Sequence, residues 1–143
     1  MKTLFVLIHL LLCMAYAGGT KANHLAVFYG ATVHDGHPAH TLGLDYEYHM
    51  NKQFGFISLA EYIAHEEAAG LFGGGLAYHP FGGAKLALIP ALEMNSHHSA
   101  FVLRTNLEWA FHFDQYSASP SYSLDLVEGH AVNVFGLAFG AAF

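Results

Sequence analysis

The sequence predicts an all-β fold, an eight-stranded antiparallel up-and-down transmembrane β-barrel that follows a cleaved signal peptide. Three observations carry it: seven turn-like clusters, period-two alternation between them, and an unusually apolar composition. Hydrophobic residues make up 54% of the 143 residues and charged residues 11%, against about 25% charged in an ordinary soluble domain. Fifteen glycines, twelve phenylalanines and eight tyrosines favour tightly turned strands over helices. Five Lys+Arg stand against eleven Asp+Glu, so no basic surface is available to neutralise phosphates. That excludes nucleic acid as a partner.

The first segment reads as an export signal. Lys2 supplies a positive start, an apolar run from Leu4 to Met14 is broken only by His9, and Ala15-Tyr16-Ala17 forms a small-residue cleavage site. That run is about 11 residues, against the ~20 a spanning helix requires. Residues 1–17 are therefore expected to be a signal peptide and 18–143 a single barrel domain. Cys13, the only cysteine, falls inside the run. The mature chain is expected to lack disulfides and cysteine-based zinc sites. Leu12 is not the small residue that normally precedes a lipidated cysteine.

The remaining chain divides at Asp35-Gly36-His37-Pro38, Asn51-Lys52, Glu66-Glu67, Phe81-Gly82-Gly83, Asn95-Ser96-His97, Ser117 to Pro120, and Glu128-Gly129. Seven turns separate eight segments. Segment two sets Leu42, Leu44, Tyr46, Tyr48 and Met50 against Thr41, Gly43, Asp45, Glu47 and His49. Segment three is mixed, because Ile57, Leu59 and Ile63 share a face with Glu61. Segment five sets Leu86, Leu88, Leu92 and Met94 against Lys85, Ala87, Ala91, Glu93 and Asn95, with Ile89 the exception. Pro90 interrupts that segment and predicts a bulge. Segment six alternates throughout, from Phe101 to Phe113 on one face and from Val102 to Asp114 on the other. Segment seven sets Tyr122, Leu124 and Leu126 against Ser123 and Asp125.

The small residues decide which face is inside. Gly43, Gly73, Gly75, Ala87, Ala91, Ala110, Gly136 and Gly140 accompany the charges, and small residues suit a cramped interior. The bulky aromatic face cannot fill a barrel of eight strands, so it is expected to meet lipid. Ten residues at ~3.4 Å and ~45° tilt span roughly 24 Å, close to the ~25 Å apolar band of such barrels. Closing the sheet satisfies the backbone without water. Tyr48, Phe54, Tyr78, Phe81, Phe111, Phe113, Tyr122, Phe139 and Phe143 are expected to form an interfacial girdle at the periplasmic end.

The chain thus resembles the small eight-stranded outer-membrane barrels typified by outer membrane protein X and the barrel of outer membrane protein A. The resemblance covers the whole mature chain. It rests on the signal peptide, on Leu42-Gly43-Leu44-Asp45-Tyr46-Glu47-Tyr48, and on the ending Phe135-Gly136-Leu137-Ala138-Phe139-Gly140-Ala141-Ala142-Phe143. It implies residence in the bacterial outer membrane after export, contact with membrane lipid and lipopolysaccharide, and recognition of the Phe139 and Phe143 ending by the barrel assembly machinery. The expected role is structural or surface-interactive rather than enzymatic, and no cofactor is expected. Very short outer loops argue against a dedicated adhesin.

The charges and histidines are the candidates for chemistry. Asp45, Glu47, Glu61, Lys85, Glu93, Arg104, Glu108 and Asp125 are expected to face the lumen. There they form a hydrogen-bonded plug or, alternatively, an acidic cation conduit. Of twelve histidines, His34, His37, His40, His65, His97, His98 and His130 sit at the four outer loops. A rim containing His34, His37, His65, His97, His98 and His130 could bind Zn²⁺ or Cu²⁺. Two other classes stay open. His97-His98-Ser99 is similar to the His-x-Ser arrangement of the outer-membrane lipid A deacylases, which would imply a lipid A-modifying enzyme. A soluble periplasmic ligand-binding barrel would instead turn the aromatic face inward.

Overall fold

A computed structural model describes residues 23–65 and 67–143. The expected signal peptide, Cys13 and Glu66 lie outside the described residues. The strands are β1 (Asn23–His34), β2 (His37–His49), β3 (Phe54–Ala64), β4 (Ala69–Tyr78), β5 (Ala84–Met94), β6 (Ser99–Trp109), β7 (Phe111–Phe113), β8 (Tyr116–Val127) and β9 (His130–Ala142). β6 and β7 flank Ala110 and hold one register against β8, with Glu108 opposite Ser121 and Phe111 opposite Ala118. Together they act as one wall strand, so the wall has eight strands. Neighbours along the chain pair antiparallel, and β9 returns to β1, closing the barrel.

The register fixes the size of the barrel. Pairings lead from Asn23 to Tyr48, Phe56, Leu76, Leu88, Thr105, Leu124 and Asn133, and then back to β1 at Val33. One circuit therefore climbs ten residues, from Asn23 to Val33. Such a stagger on eight strands tilts them by about 40–45° and leaves an interior just wide enough for side chains.

Local chemistry sets the turns. Asp35-Gly36 and Glu128-Gly129 place both central residues at positive φ (49° and 81°, 49° and 86°), the geometry whose twist matches paired strands. Asn51 Oδ1 accepts from the N–H groups of Gln53 and Phe54, and Asn95 Oδ1 from those of His97 and His98. The sixth turn differs from the sequence expectation. The chain reverses at Asp114 (φ 55°), while Ser117 to Pro120 lie within β8. Serine and proline resemble turn punctuation, but here the serines at 117 and 119 are buried and Pro120 is exposed.

Pro90 also behaves differently from a bulge. It pairs with Leu103 of β6, while the β4–β5 ladder lapses between Gly73↔Ala91 and Leu76↔Leu88 and resumes in the same register. With no N–H to donate, Pro90 opens the ladder on one side without adding a residue. The backbones approach closely there, since a Cβ on Gly75 would run into the Leu88 carbonyl oxygen.

Outward side chains form an apolar wall. Leu25, Val27, Leu42, Leu44, Leu76, Leu86, Leu88, Leu107, Phe135 and Leu137 are all exposed, Leu76 by 58%. At the end carrying Asn23 and Phe143, the exposed rings include Tyr48, Phe54, Tyr78, Phe81, Phe111, Phe113, Phe139 and Phe143, joined by Trp109 and Tyr116. Tyr122 is not among them. It lies mid-wall opposite Leu107 and Phe135, because the turn before β8 comes earlier than expected. Tyr62 and Phe101 mark the far end.

The lumen is less polar than the sequence suggests. Ile57, Leu59, Leu71, Ile89 and Val102 pack together inside it, and Phe28 packs with Ala26, Val134 and Ala138. The Phe28 ring fits because its neighbours lack side chains. A Cβ on Gly30 would lie 2.6 Å from its Cζ, and one on Gly136 2.5 Å. Ile89, an exception in the sequence pattern, is simply inside, 1% exposed.

Candidate functional site

Period-two geometry turns every second residue of each strand into the lumen, and the charged ones gather in two clusters. In the first, the Arg104 guanidinium donates from Nε to Asp125 Oδ1 at 2.7 Å and from Nη2 to Asp125 Oδ2 at 2.8 Å. Its Nη1 donates to Glu61 Oε1 at 2.5 Å. The strand register places Arg104 opposite Asp125, so the planar fork meets the carboxylate in bidentate fashion. All three residues are buried.

The second cluster lies toward the end that carries the termini. Lys85 Nζ is 2.7 Å from Glu108 Oε2 and 3.7 Å from Glu47 Oε2. The other oxygen of Glu47, Oε1, is 2.5 Å from His79 Nε2 and 3.5 Å from His49 Nε2. The two imidazole rings sit 5.3 Å apart, tilted by 33°. Gly55 makes room here, because a Cβ would strike Glu47. Across the same end, His24 Nε2 lies 2.8 Å from Ser117 Oγ. His49 and His79 are half-buried, whereas Glu47, Lys85 and Glu108 are buried.

Six of the eight expected lumen charges thus join these clusters. Asp45 and Glu93 are half-buried and enter no ion pair among the described residues. Between the clusters lies a cavity of about 10 Å³, lined in part by Asp45, Glu61, Arg104, Asn106 and Phe28. That is room for about one water molecule. Asp45 Oδ1, Glu61 Oε2 and Asn106 Oδ1 are buried without a protein hydrogen-bond partner among the described residues, and acceptors of that kind suit a bridging water. Asn106 Nδ2 donates to Ser121 Oγ at 2.8 Å and to Ser123 Oγ at 3.0 Å. Among the described residues the aromatic face points outward and aliphatic and charged side chains fill the lumen, the inverse of the arrangement a soluble ligand-binding barrel requires.

The six outer histidines are dispersed. His34 Nε2 lies 3.7 Å from Asp35, and His98 Nε2 lies 3.1 Å from Glu128, both in the open. His37 faces His34 across the first turn, His65 gives its N–H to the Ile63 carbonyl, His97 gives its own to Asn95, and His130 opens β9. Among the described residues, the group whose ligand atoms converge is instead Glu47, His49 and His79, all within 4.8 Å of one another. Among the described residues no hydrogen bond joins His97 or His98 to the Ser99 hydroxyl.

Sequence reasoning missed His24 and His79, the lumen serines 117, 119 and 121, and Phe28. His79 follows outward Tyr78, so strand parity carries it inward. His49 stood on the polar face two residues from Glu47, which was the signal for this cluster.

No family model and no curated protein matches the sequence. Solved structures do. The chain is similar to the N-terminal β-barrel domain of Pseudomonas aeruginosa OprF, with TM-score 0.62, 14% identity, and 88% of this chain and 100% of that one covered. The Yersinia pestis outer membrane protein Ail in a phospholipid nanodisc matches with TM-score 0.57 and 11% identity over 85% of this chain and 99% of that one. The outer membrane enzyme PagL matches with TM-score 0.53 and 12% identity over 82% and 98%. The chain therefore has the fold of the small eight-stranded outer-membrane β-barrels. An outer membrane enzyme is among the proteins that share this fold, so the fold leaves the activity to be argued from the site.

Proposed function

We propose that this chain is an integral protein of the bacterial outer membrane with a plugged lumen, and that its role is structural or surface-interactive rather than catalytic. The observation that carries this reading is the pairing of a continuous outward apolar wall with an interior closed by Arg104, Glu61, Asp125 and a core of aliphatic side chains. Lipid is the environment such a wall requires, and lipopolysaccharide covers the outer leaflet around it. The end carrying Asn23 and Phe143 faces the periplasm, and Phe139 on the last strand and Phe143 just after it are presented to the barrel assembly machinery. The outer turns, around Asp35-Gly36, His65, Asn95 to His98 and Glu128-Gly129, offer a small histidine- and acid-bearing surface.

The test is electrophoresis of the detergent-refolded protein, boiled and unboiled, followed by conductance in planar bilayers and mass spectrometry of lipid A from overexpressing cells. A heat-dependent shift with no steady current and unchanged lipid A is expected. A steady cation-selective current would replace the plug with a conduit. A changed lipid A spectrum would replace the non-catalytic role with an enzyme.

A further inference from the structure

We propose that Glu47, His49 and His79 form a divalent transition-metal site at the lumen mouth beside the chain termini, of the class that takes Zn²⁺, Ni²⁺ or Cu²⁺. The inference requires the fold alone and does not depend on the biological role proposed above. Three donor atoms, one carboxylate oxygen and two ring nitrogens, lie within 4.8 Å of one another. In a tetrahedral site with bonds of 2.0–2.1 Å, donors stand roughly 3.3–3.5 Å apart. His49 Nε2 and Glu47 Oε1 are already at 3.5 Å, and His79 Nε2, at 2.5 Å from the same oxygen, needs a small retreat.

The ligand chemistry narrows the metal. Two imidazoles and one carboxylate suit zinc, nickel and copper better than calcium or magnesium, which prefer all-oxygen shells. Three protein ligands leave a fourth position for water, and the half-buried imidazoles admit it from the mouth. Neighbours hold the carboxylate in place. Gly55 leaves the space Glu47 occupies, and Lys85 approaches Glu47 through the opposite oxygen, Oε2. The Lys85 charge, which opposes a cation, is met more closely by Glu108 at 2.7 Å. The polar partner that orients a ligand is a usual accompaniment of metal sites.

The site differs from the outer rim in both location and residues, so the two can be separated. The detergent-refolded chain is titrated with Zn²⁺ by calorimetry and with Co²⁺ by visible absorption. One equivalent of zinc and the intense absorption of four-coordinate cobalt are expected. His49→Ala and His79→Ala should each weaken zinc binding by at least about tenfold, while a His34→Ala/His97→Ala/His98→Ala variant should bind as the parent does. Folding of each variant is read from its unboiled gel migration, and His49→Gln or His79→Gln replaces an alanine variant that fails to fold. Binding that survives loss of both His49 and His79, binding lost only in the outer-rim variant, or no binding tighter than that of the double variant would each overturn the assignment.

Discussion

The two lumen clusters share one recipe, a base between two carboxylates, and differ in what surrounds it. Arg104 sits between Glu61 and Asp125 with three short hydrogen bonds and no exposed member. Lys85 sits between Glu108 and Glu47, but Glu47 also meets two half-exposed imidazoles. Arginine's planar fork suits the sealed position, because it satisfies two carboxylates in fixed geometry without water. Lysine's single ammonium leaves one Glu47 oxygen for other partners. The two half-exposed imidazoles thus separate a cluster that can only hold the barrel shut from one that can still exchange ligands.

The largest loss follows from opening the sealed cluster. Arg104→Met should destabilise the barrel by about 3–5 kcal/mol, because Glu61 and Asp125 are left as uncompensated buried charges. Urea unfolding in lipid vesicles measures it. Lys85→Met should cost less, roughly 1–3 kcal/mol, since His49 and His79 still meet one of the two stranded carboxylates, Glu47. Equal losses for the two variants would erase the distinction. A packing variant sharpens it. Gly136→Val drives a side chain into the Phe28 ring and should cost about 1–3 kcal/mol, with Phe28→Ala in the same chain recovering part of the loss. His79→Gln should be the mildest, about 0.5–1.5 kcal/mol for one part-exposed hydrogen bond, and the gel shift should persist.

Strand parity made most of this legible in advance. Once segments two and six alternated, Asp45, Glu47, Arg104 and Glu108 were committed to one face, and the glycines and alanines beside them identified that face as the interior. Parity alone cannot say which charges meet across the barrel. The Arg104–Glu61 contact joins β6 to β3, which are not hydrogen-bonded neighbours, and it depends on the ten-residue climb that only the closed register reveals. The misplaced sixth turn has the same origin. Ser117 and Ser119 look like turn residues in sequence, yet in a narrow polar lumen a serine serves as a small inward side chain. The histidine prediction favoured abundance at the loops. Convergence instead arose where a strand end, His49, met a residue just past another strand, His79.

The central claim is that the aromatic and aliphatic face meets lipid while the charged face is sealed inside. Trp109 is the only tryptophan, it is exposed on the outer wall, and its fluorescence reports that claim directly. The chain would be refolded into vesicles whose acyl chains are brominated near the headgroups, and its emission compared with that in ordinary lipid. Strong quenching by the brominated chains, with protection from aqueous iodide, is the expected result. Quenching by iodide with none from the lipid would put that face in water and contradict the account.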